Sequence, residues 1–232
     1  MNACLPSSFG FRISSMNDDD LRKAVISFGA SDLGVARPDD GPLPYAVSVA
    51  VRLSDAVIDE IKDSPTYTYF NHYRSVNYLL DQILLRTGLW LQERCGRYIT
   101  AAASQSRPDS SFEGRYSHKK AACLAGMGYM GRNGLFLHHE WGPRVRLATV
   151  FTDWAGCGTF IEERQQDDPD GSGTSCALCG LCVAACPAHA LDNEDFNARR
   201  CSDWMKKEYQ HIGRGAVCGI CIQVCPKKEG NK

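Results

Sequence analysis

The C-terminal part of this chain contains the cysteine run Cys176-Ala-Leu-Cys179-Gly-Leu-Cys182-Val-Ala-Ala-Cys186-Pro187. A second run, Cys218-Gly-Ile-Cys221-Ile-Gln-Val-Cys225-Pro226, lies downstream, and Cys201 lies between the two. Two-residue gaps let successive thiolates curl round one face of a cubane cluster, whereas the fourth cysteine of such a run points away and binds a neighbouring cluster. The spacing therefore predicts two 4Fe-4S clusters bound close together.

This crossed pattern assigns eight thiolates to two sets of four. The first cluster is predicted to be bound by Cys176, Cys179, Cys182 and Cys225, and the second by Cys186, Cys201, Cys218 and Cys221. Soft thiolates also suit zinc, so a pair of structural zinc sites is the alternative. The three-residue gaps and the two Cys-Pro endings favour iron and sulfide. Crowding eight of twelve cysteines into one segment is typical of metal binding in a reducing compartment rather than of a disulfide framework.

Length and charge bound the remaining possibilities. The chain has 232 residues, which is enough for one sizeable core and a small second module. Its formal net charge is −1, so no global field favours nucleic acid or a membrane surface. No apolar run has the length of a signal peptide or a membrane span, and no twin-arginine pair lies near the start. We therefore expect a cytoplasmic protein without a membrane partner.

Hydrophobic patterning predicts both helices and strands upstream of the cysteines. Tyr45 to Leu53 and Val145 to Thr152 are rich in apolar and β-branched residues and predict buried strands. The helical period from Tyr69 to Glu93 predicts a long core helix, bent at Gly88. A shorter helix is predicted over Ser117 to Ala125, with the serine as its N-cap.

Composition then divides the chain into two domains. The mixture of helices and strands indicates an α+β fold, with an α/β cofactor and substrate domain over residues 1–160. Residues 161–174 are polar, acidic and contain glycine and proline, so they are predicted to form a linker. The two-cluster module is predicted over residues 175–232.

A glycine-rich stretch follows the shorter helix. Gly126-Met-Gly128-Tyr129-Met130-Gly131 matches the pattern of a dinucleotide-binding loop, but that loop needs a strand before it and a helix after it. Here a predicted helix precedes the glycines and a strand follows, which argues against nicotinamide binding. The glycines either let a ligand approach the backbone closely or form a helix C-cap and turn.

Basic residues surround this stretch, and they suit either an anionic ligand, such as a cofactor phosphate, or a solvated surface. The predicted cofactor contacts are Gly126, Gly128, Tyr129, Met130, Gly131, Arg132, Asn133 and Arg144. The nearby His138-His139-Glu140 is predicted to be a surface turn rather than a metal site, because adjacent side chains on a strand face opposite ways.

Three stretches resemble the epoxyqueuosine reductase and reductive dehalogenase group. They are Ser117 to Leu137, which contains the glycines, Gly142 to Asp153, and the eight-cysteine module with Arg199-Arg200 before Cys201. The resemblance implies a nitroreductase-like α/β N-terminal domain that binds cobalamin, with two 4Fe-4S clusters delivering electrons to its cobalt. It also implies an external ferredoxin or flavodoxin as donor and a small-molecule or corrinoid substrate.

The chain departs from epoxyqueuosine reductases at two points. Those enzymes place a proton-donating aspartate, followed by Ser-Ala-Pro, after the strand that precedes this helix, whereas this chain has Ala103-Ser104-Gln105 there. Their tRNA-binding C-terminal extension has no counterpart after Cys225. We therefore do not expect tRNA as the substrate.

A cobalamin reductase needs a proton donor near the reacting atom. The candidates are Tyr116, His118, Glu113 and Asp109, and His118 stands out because its ordinary pKa lies near neutrality. A capping or surface histidine, a packing tyrosine and two ordinary loop acids are the alternatives. Three rival functions stay open: a protein that reduces or reactivates corrinoids without a substrate of its own, a plain electron carrier, and a flavin reductase.

Overall fold

The structure, a computed structural model, describes residues 18–104, 116–158, 174–191, 196–213 and 217–226. Its helices are α1 (Asp18–Ser27), α2 (Asp55–Asp59), α3 (Tyr67–Gln92), α4 (His118–Leu124), α5 (Thr174–Cys179), α6 (Leu181–Ala185), α7 (Ala198–Tyr209) and α8 (Ile220–Gln223). Its strands are β1 (Asp32–Ala36), β2 (Tyr45–Arg52), β3 (Tyr98–Ala101), β4 (Gly128–Met130), β5 (Phe136–His138) and β6 (Val145–Thr152). The fold is therefore mixed α and β.

The main sheet has four antiparallel strands in the order β1-β2-β6-β3. Strands β2 and β6 form its centre, with Val47 opposite Val150. Six consecutive residues of β2 are buried, from Ala46 to Val51, so this strand is covered on both faces. That double burial explains its nearly continuous apolar sequence, since a strand with one wet face would alternate apolar and polar residues. Both central strands were predicted.

Helix α3 crosses over the sheet from β2 to β3. Its apolar stripe, which includes Leu80, Ile83 and Leu84, lies in the main core, and truncating one such side chain to alanine costs about 2–5 kcal/mol. The helix runs unbroken through Gly88 over 26 residues, and the bend at that residue stays a prediction. A Cβ at Gly88 would collide with the ring of Tyr98 on β3.

No helix in the described part of the chain combines the length and apolarity needed to cross a membrane.

The cysteine-rich segment packs against the start of α3 rather than standing apart from the first domain. Ile212, Val217 and Ile220 belong to the same buried apolar cluster as the α3 stripe. The backbone at Gly213 lies so close to the Phe70 ring that a Cβ there would collide with it. The hydroxyl of Tyr209 donates a hydrogen bond to the Asp63 carbonyl oxygen at 3.3 Å. One continuous core therefore joins the two segments.

Candidate functional site

One apolar cavity collects the second predicted set of thiols. The side chains of Cys186, Cys201, Cys218 and Cys221 all line it. They come from four places along the chain: the residue after α6, the body of α7, the residue before the turn into α8, and α8 itself. Phe196, Leu191, Trp204 and Met205 are among the apolar residues that close the cavity. Chain-distant cysteines of the predicted set thus share one enclosure.

The two Cys-Gly-x-Cys segments share a backbone conformation. Gly180 has φ 65° and begins α6, and Gly219 has φ 82° and begins α8. Only glycine adopts such left-handed angles without strain, so each turn needs it. A Cβ at Gly219 would also lie 2.7 Å from the side chains of Ile61 and Tyr69. The matched turns give both cysteine runs the same local geometry, and the second is pressed against the core.

Burial favours the protonated form of three cavity thiols, those of Cys201, Cys218 and Cys221, in the absence of a cation. Burial raises the pKa of Cys201 to about 11, and negative charge at Cys218 and Cys186 raises it further. The pKa of Cys221 is also raised, first by burial and then by charge at Cys218 and Cys201. Because metal binding requires thiolates, these thiols must release protons to a bound metal centre. An uncompensated thiolate pair here would be costly, whereas iron or zinc would supply the opposing charge.

The arrangement of the thiols bears on the kind of metal centre that they could bind. Within the described residues, no group of three or more His, Cys, Asp or Glu side chains converges closely enough to hold one metal ion. A 4Fe-4S cluster binds each thiolate through a different iron, so its ligands surround a cavity instead of meeting at a point. The thiols of Cys186, Cys201, Cys218 and Cys221 line one cavity, as the ligands of such a cluster would.

The first predicted set lies beside it. Burial raises the pKa of Cys182, and negative charge at Cys176 and Cys179 raises it further, which places these three thiols within electrostatic range of one another. Burial likewise raises the pKa of the Tyr129 hydroxyl, and charge at Cys176 and Cys225 adds to that increase. Tyr129 therefore lies near both the first run and the cysteine that ends the second run.

The glycine-rich stretch is a helix cap followed by a hairpin. The Gly126 N–H donates to the Cys123 carbonyl oxygen at 3.0 Å, and the Met127 N–H donates to that of Ala122 at 3.1 Å. This pair of bonds, with φ 65° at Gly126, is a Schellman cap that ends α4. Strand β4 begins at Gly128, where a Cβ would fall on the Leu137 carbonyl oxygen of β5. Strand β4 was not predicted.

The turn between β4 and β5 contacts both cysteine sets. The Arg132 backbone N–H donates to the Cys176 sulfur at 3.4 Å. The Asn133 side-chain amide donates to the Cys221 carbonyl oxygen at 3.5 Å, and Asn133 also lines the thiol cavity. The Gly131 N–H closes the turn by donating to the Leu135 carbonyl oxygen at 2.8 Å. Several predicted cofactor contacts thus lie against the cysteines, and this turn joins the two parts of the chain.

Arg144 has a different environment from the one predicted. Its side chain is 1% exposed, and its guanidinium donates to Asp55 at 2.8 Å and to Asp59 at 2.6 Å. Both carboxylates belong to α2, so Arg144 ties that helix to the start of β6. These two ion pairs occupy the guanidinium and argue against the predicted contact with an anionic cofactor.

The proton-donor candidates are held by packing. His118 Nε2 donates to the Ala102 carbonyl oxygen at 2.8 Å, and Nδ1 accepts from the Thr149 hydroxyl at 2.9 Å. Burial holds the pKa of His118 below its ordinary value. Tyr116 packs edge-on against Phe151 with ring centroids 4.6 Å apart, and burial raises the pKa of its hydroxyl to about 12. Asp109 and Glu113 lie outside the described residues.

A polar cluster at the far end of the hairpin escaped sequence reasoning. His138 is buried, with 6% of its side chain exposed, so the prediction of a surface turn is wrong at this residue. Its Nε2 donates to Asp32 at 3.1 Å, and its Nδ1 accepts the Glu140 backbone N–H at 3.1 Å. Arg22 donates to the other oxygen of Asp32 at 2.9 Å. No local pattern links these distant residues, so only the fold reveals the cluster.

Comparison with known proteins finds similarity to two groups of reductases over part of the chain. No family model matches it. The tetrachloroethene reductive dehalogenase of Desulfitobacterium hafniense is 41% identical over 75 residues, which cover 32% of this chain and 12% of that protein. The epoxyqueuosine reductase of Synechococcus sp. (strain CC9605) is 30% identical over 135 residues, covering 55% and 35% of the two chains. The chain is a homologue of epoxyqueuosine reductases and reductive dehalogenases.

This chain is similar in fold to a solved reductive dehalogenase whose structure suggests a mechanism for B12-dependent dehalogenation. It superposes with a TM-score of 0.73 at 16% identity, covering 95% of this chain and 33% of that protein. The three matches cover 12%, 35% and 33% of the relatives' own lengths, so the chain spans about a third of these proteins or less.

Proposed function

We propose that this chain is a reductase in which two 4Fe-4S clusters pass single electrons to a cobalamin in a nitroreductase-like domain. The clusters belong to the module over residues 175–232, and the cobalamin belongs to residues 1–160. The homologous reductases support the reaction class. The observation that carries the proposal is the apolar cavity whose wall contains Cys186, Cys201, Cys218 and Cys221. The organic substrate is a small molecule.

The chain's own residues would bind the clusters and shield them. Four thiols around an apolar cavity exclude water, which favours a defined reduction potential. The Arg132 N–H directed at the Cys176 sulfur would stabilise the more negative, reduced form of the first cluster. When bound, the clusters supply one-electron transfer and cobalamin supplies a strongly reducing cobalt.

The cobalamin contacts rest mainly on homology and on the hairpin. Of the predicted contacts, Gly126 has open space around it, because a Cβ there would meet no atom within 4 Å. Tyr129 and Met130 lie on β4, between that open end and the turn that contacts the cysteines. A corrin beside this strand would lie within reach of the first cluster. Arg144 is left out of the proposed contacts because of its pairing with α2.

Anaerobic reconstitution with iron and sulfide tests the clusters first. Two clusters require about eight iron and about eight acid-labile sulfide per chain. Zinc without sulfide in protein purified under nitrogen would contradict the proposal. Titration with cobalamin, followed by ultraviolet–visible spectroscopy, then tests the cofactor through a shift of the cobalt bands. Loaded clusters with no band shift would leave an electron carrier, and a bound isoalloxazine spectrum would indicate a flavin reductase.

A second candidate is a protein that reduces or reactivates a corrinoid without an organic substrate of its own. The environment of the proton-donor candidates favours it. His118 uses both ring nitrogens in hydrogen bonds, and Tyr116 is buried with a raised pKa, so neither is poised to donate a proton. Catalytic turnover of an organic substrate by the cobalamin-loaded protein would exclude this candidate.

A further inference from the structure

Arg146 is a partly buried cation whose hydrogen-bond partners are neutral. It lies on β6 opposite Val51, on the sheet face that α3 covers, where Val51 and Ala148 belong to the main apolar core. Its Nε donates to the side-chain oxygen of Asn77 at 3.0 Å, and its Nη2 donates to the Tyr73 hydroxyl at 3.2 Å. No carboxylate of the described residues forms an ion pair with this guanidinium.

The neighbouring Arg144 is compensated in a different way, because it is paired with the carboxylates of Asp55 and Asp59. Asp81, one turn beyond the Asn77 amide on α3, accepts the Ala103 backbone N–H at 2.9 Å. A cation beside an apolar core costs desolvation free energy unless opposite charge lies nearby. A neutral side chain could make two hydrogen bonds here at a lower cost, so the charge itself needs an explanation.

Two tyrosines of α3 connect Arg146 to the cysteine-rich segment. The Cζ of Arg146 lies 4.3 Å from the centre of the Tyr73 ring. The rings of Tyr73 and Tyr69 are 6.4 Å apart and inclined at 61°. Tyr69 is one turn before Tyr73 on the helix and is buried. The guanidinium and the two rings therefore form a short stack that runs along α3 towards the start of that helix.

The far end of this stack touches the turn between two predicted ligands of the second cluster. A Cβ at Gly219 would lie 2.7 Å from the Tyr69 ring, and Gly219 lies between Cys218 and Cys221 in the chain. Burial raises the pKa of the Tyr69 hydroxyl most strongly, the charge of Arg146 lowers it, and negative charge at Cys221 and Cys218 raises it. Tyr69 is thus within electrostatic range of the cation and of both thiols.

We propose that Arg146 provides a fixed positive charge that raises the reduction potential of the cluster bound by the second cysteine set. This inference rests on the proposed function. A cluster bound by four thiolates is an anion, and reduction by one electron makes it more negative, so a nearby cation favours the reduced form. In that step the external ferredoxin or flavodoxin is oxidised by one electron and the cluster is reduced by one, with no bond made or broken.

The proposed order of the centres gives this charge a use. The corrin is proposed beside the first cluster, so the second cluster is the one that receives electrons from outside. A higher potential makes that first transfer more favourable. The alternative is a structural role, in which Arg146 only joins β6 to α3. That role needs the two hydrogen bonds to Asn77 and Tyr73 but not the charge.

Three variants separate these roles. Arg146→Gln removes the charge and keeps an amide donor, whereas Arg146→Lys keeps the charge and changes the hydrogen-bond geometry. Arg86→Gln is the matched control, because it removes a positive charge from an exposed position of the same helix, about 20 Å along α3 from Tyr73.

The test uses the full chain with its clusters reconstituted under nitrogen. Stepwise reduction with dithionite in the presence of mediators, followed by electron paramagnetic resonance, gives the midpoint potential of each cluster. The same titration in a Cys225→Ser background identifies the potential of the second cluster, because the crossed pattern assigns this cysteine to the first cluster.

The expected effect follows from Coulomb's law. At a separation on the order of 12 Å and an effective dielectric constant of about 20, one unit charge changes the equilibrium constant for reduction about tenfold. Arg146→Gln should therefore lower the potential of the second cluster by about 59 mV, which is a tenfold change for one electron. Arg146→Lys should change that constant by less than about threefold, because the charge remains. Arg86→Gln should change it by less than about twofold, because its charge is exposed and screened.

Several results would overturn the inference. An unchanged potential in Arg146→Gln would do so, and an equal fall in Arg146→Lys would assign this residue a structural role. An equal fall in Arg86→Gln would show a general charge effect. Should Arg146→Gln bind too little iron for titration, normal iron in Arg146→Lys would support the need for charge, and loss of iron in both would refute it.

The two proposals fail in different ways. Wild-type protein that takes up no iron would refute the proposed function before any potential is measured. Two loaded clusters whose potentials do not respond to Arg146→Gln would refute only the role of this arginine and would leave the clusters in place.

Discussion

Replacing Gly128 with alanine tests the role of the glycine-rich stretch. The Cβ of an alanine would fall on the Leu137 carbonyl oxygen and lie 2.7 Å from Cζ of Phe136, so strand β4 must move away from β5. Backbone atoms of a paired strand cannot rotate aside as a flexible side chain can. The displacement would carry the turn at Arg132 and Asn133 away from the cysteines that it contacts.

Gly126→Ala is the matched control within the same motif. A Cβ at Gly126 meets no atom within 4 Å, so the change costs only the left-handed backbone penalty, about 1–2 kcal/mol. Overpacking at Gly128 costs about 1–3 kcal/mol for the clash alone. It also sacrifices the two contacts between the turn and the cysteines, about 1 kcal/mol each. The expected total for Gly128→Ala is therefore about 3–5 kcal/mol.

Thermal unfolding and iron analysis under nitrogen provide the assay. For a chain of this size each kcal/mol lowers Tm by about 2–4 °C, so Gly128→Ala should lower it by about 6–20 °C and Gly126→Ala by about 2–8 °C. Iron content should fall in the Gly128 variant and stay unchanged in the Gly126 variant. Normal iron and Tm in Gly128→Ala, or the larger loss in Gly126→Ala, would refute the assignment of this stretch to hairpin pairing against the cysteines.

Three further changes test individual residues. Arg144→Met should destabilise the fold by about 1–3 kcal/mol through loss of its two ion pairs, without altering cobalamin affinity in a spectroscopic titration. His118→Gln should retain most corrinoid reduction, since loss of a true general acid would cost about a hundredfold or more. Burial lowers the pKa of His118 in the folded state, so the unfolded chain binds a proton at this residue first as the pH falls. The contribution of neutral His118 to stability is therefore complete above about pH 6.5 and is lost at lower pH. The Tm of His118→Gln should fall less between pH 7 and pH 5 than that of the wild type. Cys225→Ser should reduce iron from about eight to about four per chain and spare the second cluster, because the crossed pattern assigns this cysteine to the first, and electron paramagnetic resonance would show which cluster survives.

Much of the fold was accessible from local patterns. The long helix, both central strands and the Ser117 cap followed from periodicity and residue type, and the cap bond to the Lys120 N–H is present at 3.3 Å. The role of Gly88 could not be predicted, because glycine has two uses in a helix that look alike in sequence. Glycine can loosen a helix, or it can admit a neighbour, and here the neighbour is Tyr98 from a strand ten residues downstream.

The candidate site was also predictable from local patterns only in part. The ferredoxin-type spacing proposed which cysteines belong together, because the fourth cysteine of each run binds the neighbouring cluster. The environments of Arg144 and His138 could not be predicted from local spacing. Arg144 is paired with carboxylates 85 and 89 residues away in sequence, and His138 with one 106 residues away. A single sequence gives no sign of partners at such separations.

Local patterns along the chain were enough to indicate the chemistry that eight cysteines can support and the helix and strand periods that bury the core. Those properties depend on neighbours within a few residues, where geometry is set by the backbone. Packing between distant segments, by contrast, made the glycine-rich stretch a hairpin that contacts the thiols, and it brought Cys186, Cys201, Cys218 and Cys221 to one cavity. Both depend on packing between distant segments, where the favourable burial of one surface is defined only by the other.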